Sequence, residues 1–311
     1  MAGSIFYFLL NMSIFGSVAG LLVVALRRVR ILPRLLVYLL WLMPLYQLLI
    51  PLGITSRYSL MNFIPRDKVK TIVVWERLPL SPEWATRNSI QAVENYAAFP
   101  MEMEYKTDLL RDIFSTAGMI WAIVAAAAVL CAAVLYIITK SALKDAEHIK
   151  ENIYRSDKIL SPAVYGIIKP KIILPVSVAD NDLDYILRHE RVHIRRRDNL
   201  WRVIAVITAC VHWFNPLAWV FLKRFFADME LACDAGVLKK LDDNDKKAYA
   251  SALLSCSAGK TYYASAFGGA KTRLRIKNIL SYKKLTLVSG LCFAALFIMV
   301  AVTVITNAAG G

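Results

Sequence analysis

Residues 182–198 read DLDYILRHERVHIRRRD and contain His189-Glu190-Arg191-Val192-His193, an HExxH pattern. Two histidines four positions apart lie on one helix face, one turn apart, so both imidazoles can reach a single metal ion. Glu190 directly follows the first histidine, and from there its carboxylate can approach a water on that metal and accept its proton. Zinc (Zn2+) suits the arrangement, because it takes neutral imidazole and prefers few protein ligands with one position open. The pattern needs a third ligand.

Downstream, residues 216–241 read PLAWVFLKRFFADMELACDAGVLKKL. Glu230 and Asp234 are four apart and share a helix face. Glu230 can complete a set of two histidines and a carboxylate. Asp234 can accept the N–H of a ligand histidine and fix its tautomer. Alone, such a pair of acids equally describes a solvated face paired with Arg and Lys; after an HExxH helix and a return turn, ligation is favoured. Asp228 is rotated away from Asp234, and the small residues around Cys233 read as packing.

The elements between the two halves must bring them together. A straight helix from His193 to Glu230 would separate them by roughly 55 Å, whereas both must lie about 2 Å from one ion. Residues 199–226 are therefore expected to fold into a helical hairpin with its tip near 212–216, buried in protein or dipping into a bilayer. Asn215 would be the N-cap of the second arm, with Pro216 at its first position. His212 would sit at the tip as a packing or hydrogen-bonding residue. The HExxH helix itself should start at an N-cap of Asn181 or Asp182.

Composition sets the surroundings. The chain has 311 residues, 58% of them hydrophobic, which fits several membrane spans plus one soluble domain. Uncharged apolar runs cover residues 1–26, 35–54, 113–139 and 285–305, four expected spans. A net charge of +15 could point to nucleic acid, but the charge is sorted by segment. Residues 27–34 carry four Arg, residues 54–112 carry eight basic and eight acidic residues, and residues 140–284 carry 26 basic and 15 acidic. That pattern reads as membrane sidedness, with both basic segments cytoplasmic and no direct nucleic-acid partner. The expected layout is two spans with a short basic loop (1–54), an outward loop (55–112), a third span (113–139), a cytoplasmic zinc domain (140–284), a fourth span (285–306) and a short outward tail (307–311). The fold class is a mainly α polytopic membrane protein whose zinc domain contains a short β-hairpin. In a reducing cytoplasm its cysteines would stay unpaired.

Within the zinc domain, residues 140–158 are expected to be helical, with His148 an exposed helix residue. Residues 159–177, ILSPAVYGIIKPKIILPVS, predict two short strands confined to edge positions by Pro170 and Pro175. Such an edge, at Val164, Gly166 and Ile168, could hold a substrate strand by main-chain hydrogen bonds; an ordinary hairpin packed on the helix is the equal alternative. Residues 242–284 read as a connector ending in a basic amphipathic stretch on the lipid surface. In loop 55–112, Trp75 and Trp84 could rest on the membrane interface, or the loop is simply solvated.

The runs GIIKPKIILP (166–175), RHERVHIRRRDNLW (188–201), WFNPLAW (213–219) and MELACD (229–234) together resemble the BlaR/MecR-type membrane zinc metallopeptidases, the proteolytic module of bacterial β-lactam sensor-transducers. The resemblance covers essentially the whole chain. It implies His189, His193 and Glu230 as zinc ligands, Glu190 as general base, and a cytoplasmic zinc domain. It further implies that an outside signal triggers cleavage of the protein itself, within a connector like residues 259–276, or of a cytoplasmic repressor. The penicillin-binding domain that follows the last span in those proteins is not expected here, so the protein would act with a separate sensor protein, respond through loop 55–112, or be a constitutive protease. Two rival readings stand beside this one: a non-enzymatic membrane signalling protein with a structural zinc, and a prenyl-protein endopeptidase type, which needs more spans than four.

Overall fold

A computed structural model describes residues 2–29, 31–50, 52–53, 55–59, 73–75, 85–86, 103–105, 108–242, 245–257, 272–282 and 286–308. Helix α1 (Ala2–Leu26) covers the first apolar run. The second run forms two short helices, α2 (Arg34–Leu40) and α3 (Leu42–Leu49). Pro44 lacks the N–H that would bond the carbonyl of Leu40, so the helix breaks at Trp41 and restarts. From Arg34 to Leu49 the rise is about 24 Å, short of the roughly 30 Å hydrocarbon core. Among the described residues three single helices are long and apolar enough to cross a membrane, α1, α4 (Asp108–Ala142) and α10 (Leu287–Ile305, apolar from Val288), and the second run adds the shorter apolar stretch Arg34–Leu49. Helices α1 and α4 pack closely where Gly118 lies on the backbone of Ala2 and Gly3; a Cβ on Gly118 would come within 2.5 Å of the Ala2 carbonyl carbon.

Between α3 and α4 the described residues form five short strands: β1 (Leu52–Gly53), β2 (Thr55–Ser56), β3 (Val73–Trp75), β4 (Ala85–Thr86) and β5 (Met103–Tyr105). Trp84 and most of the expected outward loop lie outside the described residues. Strand β2 pairs in parallel with β10 (Asn307–Ala308), and Ser59 Oγ donates to the Thr306 carbonyl at 2.6 Å. The end of α10 therefore meets residues 55–59.

The expected helix over 140–158 is not formed. Helix α4 stops at Ala142, and the chain turns into β6 (Glu147–Lys150) and β7 (Ile153–Ser156). Ile149, Ile153 and Tyr154 favour a pleated surface, and Glu151 takes a left-handed φ of 51° in the turn between the strands. His148 is exposed as expected, but on a strand, with Nε2 2.8 Å from the Glu151 carbonyl.

Strands β8 (Ala163–Tyr165) and β9 (Lys171–Pro175) do pair antiparallel, yet they belong to a four-stranded mixed sheet of order β6-β7-β9-β8 rather than to an isolated hairpin. Strand β9 is interior, running parallel to β7. Its prolines flank the paired stretch: Pro170 precedes the strand and Pro175 ends it. Ile172, Leu174, Val164 and Ile153 pack on Ile186 of helix α5 (Asp180–Arg196). Each fully buried aliphatic side chain there contributes about 1.5–3 kcal/mol. The sheet thus seats the helix that carries HExxH.

Helix α5 begins without a side-chain cap, its N-cap being Ala179 and not Asn181 or Asp182; Asp180 and Asp182 lie in its first turn, where negative charge suits the helix dipole. Arg197 breaks the chain at φ 54°, and α6 (Asp198–Val211) starts at once. After a tight turn, α7 (Pro216–Leu238) returns, with the Asn215 side chain accepting from the Leu217 N–H at 3.0 Å and Pro216 at the first turn. The expected hairpin is formed and its tip is buried in protein. Fully buried His212 donates from Nε2 to the Leu48 carbonyl at 2.8 Å and takes the Ser13 hydroxyl at Nδ1 at 2.9 Å. Asn215 Nδ2 donates to Ser17 Oγ at 2.9 Å, and Trp121 Nε1 to the Val211 carbonyl at 2.8 Å. Helices α8 (Asp245–Ser257) and α9 (Thr272–Leu280) pack on α7, and most of the connector between them lies outside the described residues.

Candidate metal centre

His189 and His193 lie on the buried face of α5, 4% and 5% exposed. Their Nε2 atoms face each other at 3.2 Å. Each ring is fixed from behind. His193 Nδ1 donates to Asp198 Oδ2 at 2.6 Å. His189 Nδ1 lies 2.9 Å from Tyr249 Oη and 3.3 Å from Asp234 Oδ1. Because the Tyr249 hydroxyl donates to Asp234 at 2.8 Å, it accepts from His189. Both imidazoles therefore carry the proton on Nδ1, and two Nε2 lone pairs point at one place. Facing lone pairs repel unless a proton or a cation lies between them.

Glu230 approaches that place from α7. Its Oε2 is 3.5 Å from His189 Nε2 and its Oε1 is 3.6 Å from His193 Nε2. Tetrahedral ligands about 2.0–2.1 Å from zinc sit about 3.3–3.4 Å apart; each imidazole stands near that distance from one Glu230 oxygen, His189 from Oε2 and His193 from Oε1. Cys233, one turn further along α7, also clusters with the two histidines, its Sγ within 4.8 Å of their nitrogens. That thiol donates to the His189 carbonyl at 3.3 Å, which commits it to the backbone of α5. Glu190 is buried beside the histidines, and among the described residues its carboxylate makes no hydrogen bond or ion pair. Tyr165, at the end of β8, is held above its ordinary pKa by burial, with Glu190 and Arg202 in its field.

Two residues that the sequence did not single out complete the electrostatics. Arg275 of α9 grips Asp234 with Nη2 at 2.7 Å and Nε at 2.9 Å, and its Nη1 lies 3.5 Å from Glu230. Arg202 of α6 donates to Glu230 Oε1 at 2.8 Å. Burial pushes the Asp234 carboxyl up, but the Arg275 guanidinium and His189 outweigh it and hold it below the usual range. Burial likewise raises Glu230, and His193, His189 and Arg275 together bring it well below. The imidazoles show the converse. Burial lowers both, while the Cys233 thiol with Tyr249 and Asp234 raises His189, and Cys233 with Glu230 and Asp198 raises His193, so both end well above 6.5. A pocket that draws protons onto two histidines suits a cation, and the donor set fits zinc.

The sequence-derived residues are thus brought together in the case of His189, Glu190, His193, Glu230 and Asp234. The expected substrate edge is only partly realised. Val164 lies in the edge strand β8, whereas Gly166, at φ 94°, and Ile168, 91% exposed, belong to the turn after it. Asn199 Nδ2 donates to the carbonyls of Val164 and Gly166, both at 3.0 Å. Asp198, Tyr249 and Arg275 were missed. Asp198 had a usable signal, standing five positions after His193 where the HExxH helix ends; Tyr249 and Arg275 are distant in sequence and had none.

Comparison with known proteins agrees with this chemistry. "Regulatory protein BlaR1" of Bacillus licheniformis is 33% identical over 135 residues, 42% of this chain and 22% of the relative. A "Methicillin resistance mecR1 protein" of Staphylococcus aureus is 31% identical over 112 residues, 35% of this chain and 19% of the relative. "Regulatory protein BlaR1" of Staphylococcus aureus is 28% identical over 141 residues, 42% of this chain and 24% of the relative. The match spans about a quarter or less of each relative's length. The profile of the family described as BlaR1 peptidase M56 matches residues 7–279, most of the chain, and the protein belongs to that family.

Proposed function

We propose that the protein is a membrane zinc endopeptidase that cleaves itself, a cytoplasmic repressor, or both, in a regulatory response of the antibiotic or cell-envelope kind. The observation that carries this is the convergence of His189 Nε2, His193 Nε2 and the Glu230 carboxylate at 3.2–3.6 Å, with Glu190 beside them. His189, His193 and Glu230 hold the ion, and Asp234 and Asp198 orient the two imidazoles. Bound zinc supplies Lewis acidity, which brings the pKa of water toward neutrality. Glu190 accepts the water proton and returns it to the leaving amine. Val164 and its turn neighbours Gly166 and Ile168 line the approach of an extended substrate.

The domain spanning 140–284 faces the cytoplasm in this reading. Its support is the excess of basic residues there and in loop 27–34. Arg27 bonds Asp228 and Arg34 bonds Asn278, which keeps those segments at one end of the helices. The test is Glu190→Gln in the full chain: zinc content stays at one per chain, while cleavage of the protein and of a co-expressed repressor stops. Undiminished cleavage in that variant would falsify the mechanism.

A further inference from the structure

Asp198 is fully buried and uses its two oxygens differently. Oδ2 takes the Nδ1 proton of His193 at 2.6 Å. Oδ1 accepts the hydroxyl of Tyr38 at 3.1 Å, from the broken apolar helix pair α2–α3. Arg196 also holds Asp198, at 3.0 and 3.2 Å, but it stands only two positions away in the chain. Tyr38 is the partner that comes from the membrane part. Its ring is fixed on both sides, stacked on Phe225 of α7 with centroids 5.6 Å apart, and carrying the Arg196 guanidinium at 4.4 Å.

Three residues on, at the junction of α2 and α3, Trp41 Nε1 donates to Asp228 Oδ2 at 2.8 Å, and Asp228 stands two residues before Glu230. The same helix edge, Tyr38 and Trp41, therefore reaches the elements behind both His193 and Glu230. A carboxylate behind a metal-binding histidine sets the ring's orientation and basicity. What holds the carboxylate's other oxygen sets where it stands.

We propose that Tyr38 is a positioning residue of the metal centre: through Asp198 it orients His193, so that the seat of α2–α3 sets the site's affinity for zinc. The inference rests on the proposed zinc site. It gives the membrane segment a defined handle on the chemistry: a shift of α2 moves the Tyr38 hydroxyl, then Asp198, then the ring.

The test uses the full chain in detergent or nanodiscs, with zinc affinity measured by competition against a chromophoric chelator. Tyr38→Phe removes one hydroxyl and keeps the ring. It should weaken zinc binding about tenfold, the lower end for loss of a group behind a metal ligand. Asp198→Asn should weaken it further, and Tyr38→Phe should add nothing in that background, as expected for residues acting in series. Val37→Ala loosens the seat of the same helix and should weaken zinc binding in the wild type but not in the Tyr38→Phe background, where the helix no longer reaches Asp198. Unchanged affinity in Tyr38→Phe, a loss from Val37→Ala that persists in the Tyr38→Phe background, or additive losses in Tyr38→Phe with Asp198→Asn would each overturn the inference alone. Wild-type protein that takes up no zinc would overturn the metal site and the inference together.

Discussion

The Arg275 guanidinium closes on Asp234 through two hydrogen bonds of 2.7 and 2.9 Å, and the same Nη2 ends 3.3 Å from His189 Nε2. Arg275 belongs to α9, which the chain leaves only a few residues before entering α10. The basic stretch that was expected to lie on the lipid surface thus sends one arginine inward, where it offsets two carboxylates. Arg275→Ala leaves Asp234 buried without its cation, and breaking such a pair costs about 3–5 kcal/mol. Denaturant unfolding of the purified protein should show that loss, and Arg275→Ala with Asp234→Ala should lose less than the two single effects added together. Strict additivity would show the pair to be uncoupled.

The same pair has a pH signature. Asp234 is held below the usual carboxylate range, so its contribution to stability is fully present above the unfolded value of about 3.9 and fades as pH falls through its depressed folded value. Acid unfolding of Asp234→Asn should accordingly be shallower below about pH 4 than that of the wild type.

Metal uptake should depend on pH at a higher window. In the metal-free site the surrounding acidic groups raise the proton affinity of the facing His189–His193 pair, and zinc must displace a proton held between the two Nε2 atoms. Apparent affinity therefore falls as pH is lowered from the alkaline side, beginning above pH 6.5, with proton release on binding. Calorimetry in buffers of different ionisation enthalpy measures that release. Affinity that stays flat from pH 6 to pH 8 would contradict the raised imidazoles.

Two α7 side chains compete for the place of third ligand, and substitution separates them. Glu230 faces both Nε2 atoms at zinc-like spacing, while the Cys233 thiol is engaged with the His189 carbonyl. Cys233→Ser should retain one zinc per chain. Glu230→Ala should lose it at concentrations that saturate the wild type. The opposite pair of results would assign the ion to His189, His193 and Cys233.

How much was legible beforehand follows from the range of each interaction. HExxH and the Glu230–Asp234 pair are local patterns of helix period, and the need to bring them together dictated the hairpin with Asn215 at its turn. The strands at 147–156 were misread because a charged stretch after a long helix looks helical; what decided them was the pairing of β7 with β9, whose partner residues stand nineteen positions away in sequence, with β6 added as the next strand. The second apolar run read as one continuous helix, but Pro44 interrupts it at Trp41 and leaves a pair of short helices. Tyr249 and Arg275 reach the site only through tertiary packing of α8 and α9, which no spacing records.

Asp228 carries the last prediction. Helix period already turned it away from Asp234, while its partners in α1 and at Trp41 are distant in sequence and left no signal. Arg27 at the end of α1 grips it with Nε at 2.8 and 3.1 Å and Nη2 at 2.9 Å, while Trp41 donates at 2.8 Å. The carboxylate is 1% exposed and the arginine 16%, so neither charge is well hydrated. Asp228→Ala leaves Arg27 without its partner and should destabilise the protein by about 3–5 kcal/mol. Arg27→Ala should cost a similar amount, with Asp228 left buried, and the double variant should recover a measurable part of the summed loss. Because Asp228 lies on the face of α7 away from the histidines, the surviving folded fraction of each variant should still bind one zinc per chain. Loss of zinc at full folding in Asp228→Ala would instead make that carboxylate part of the metal centre.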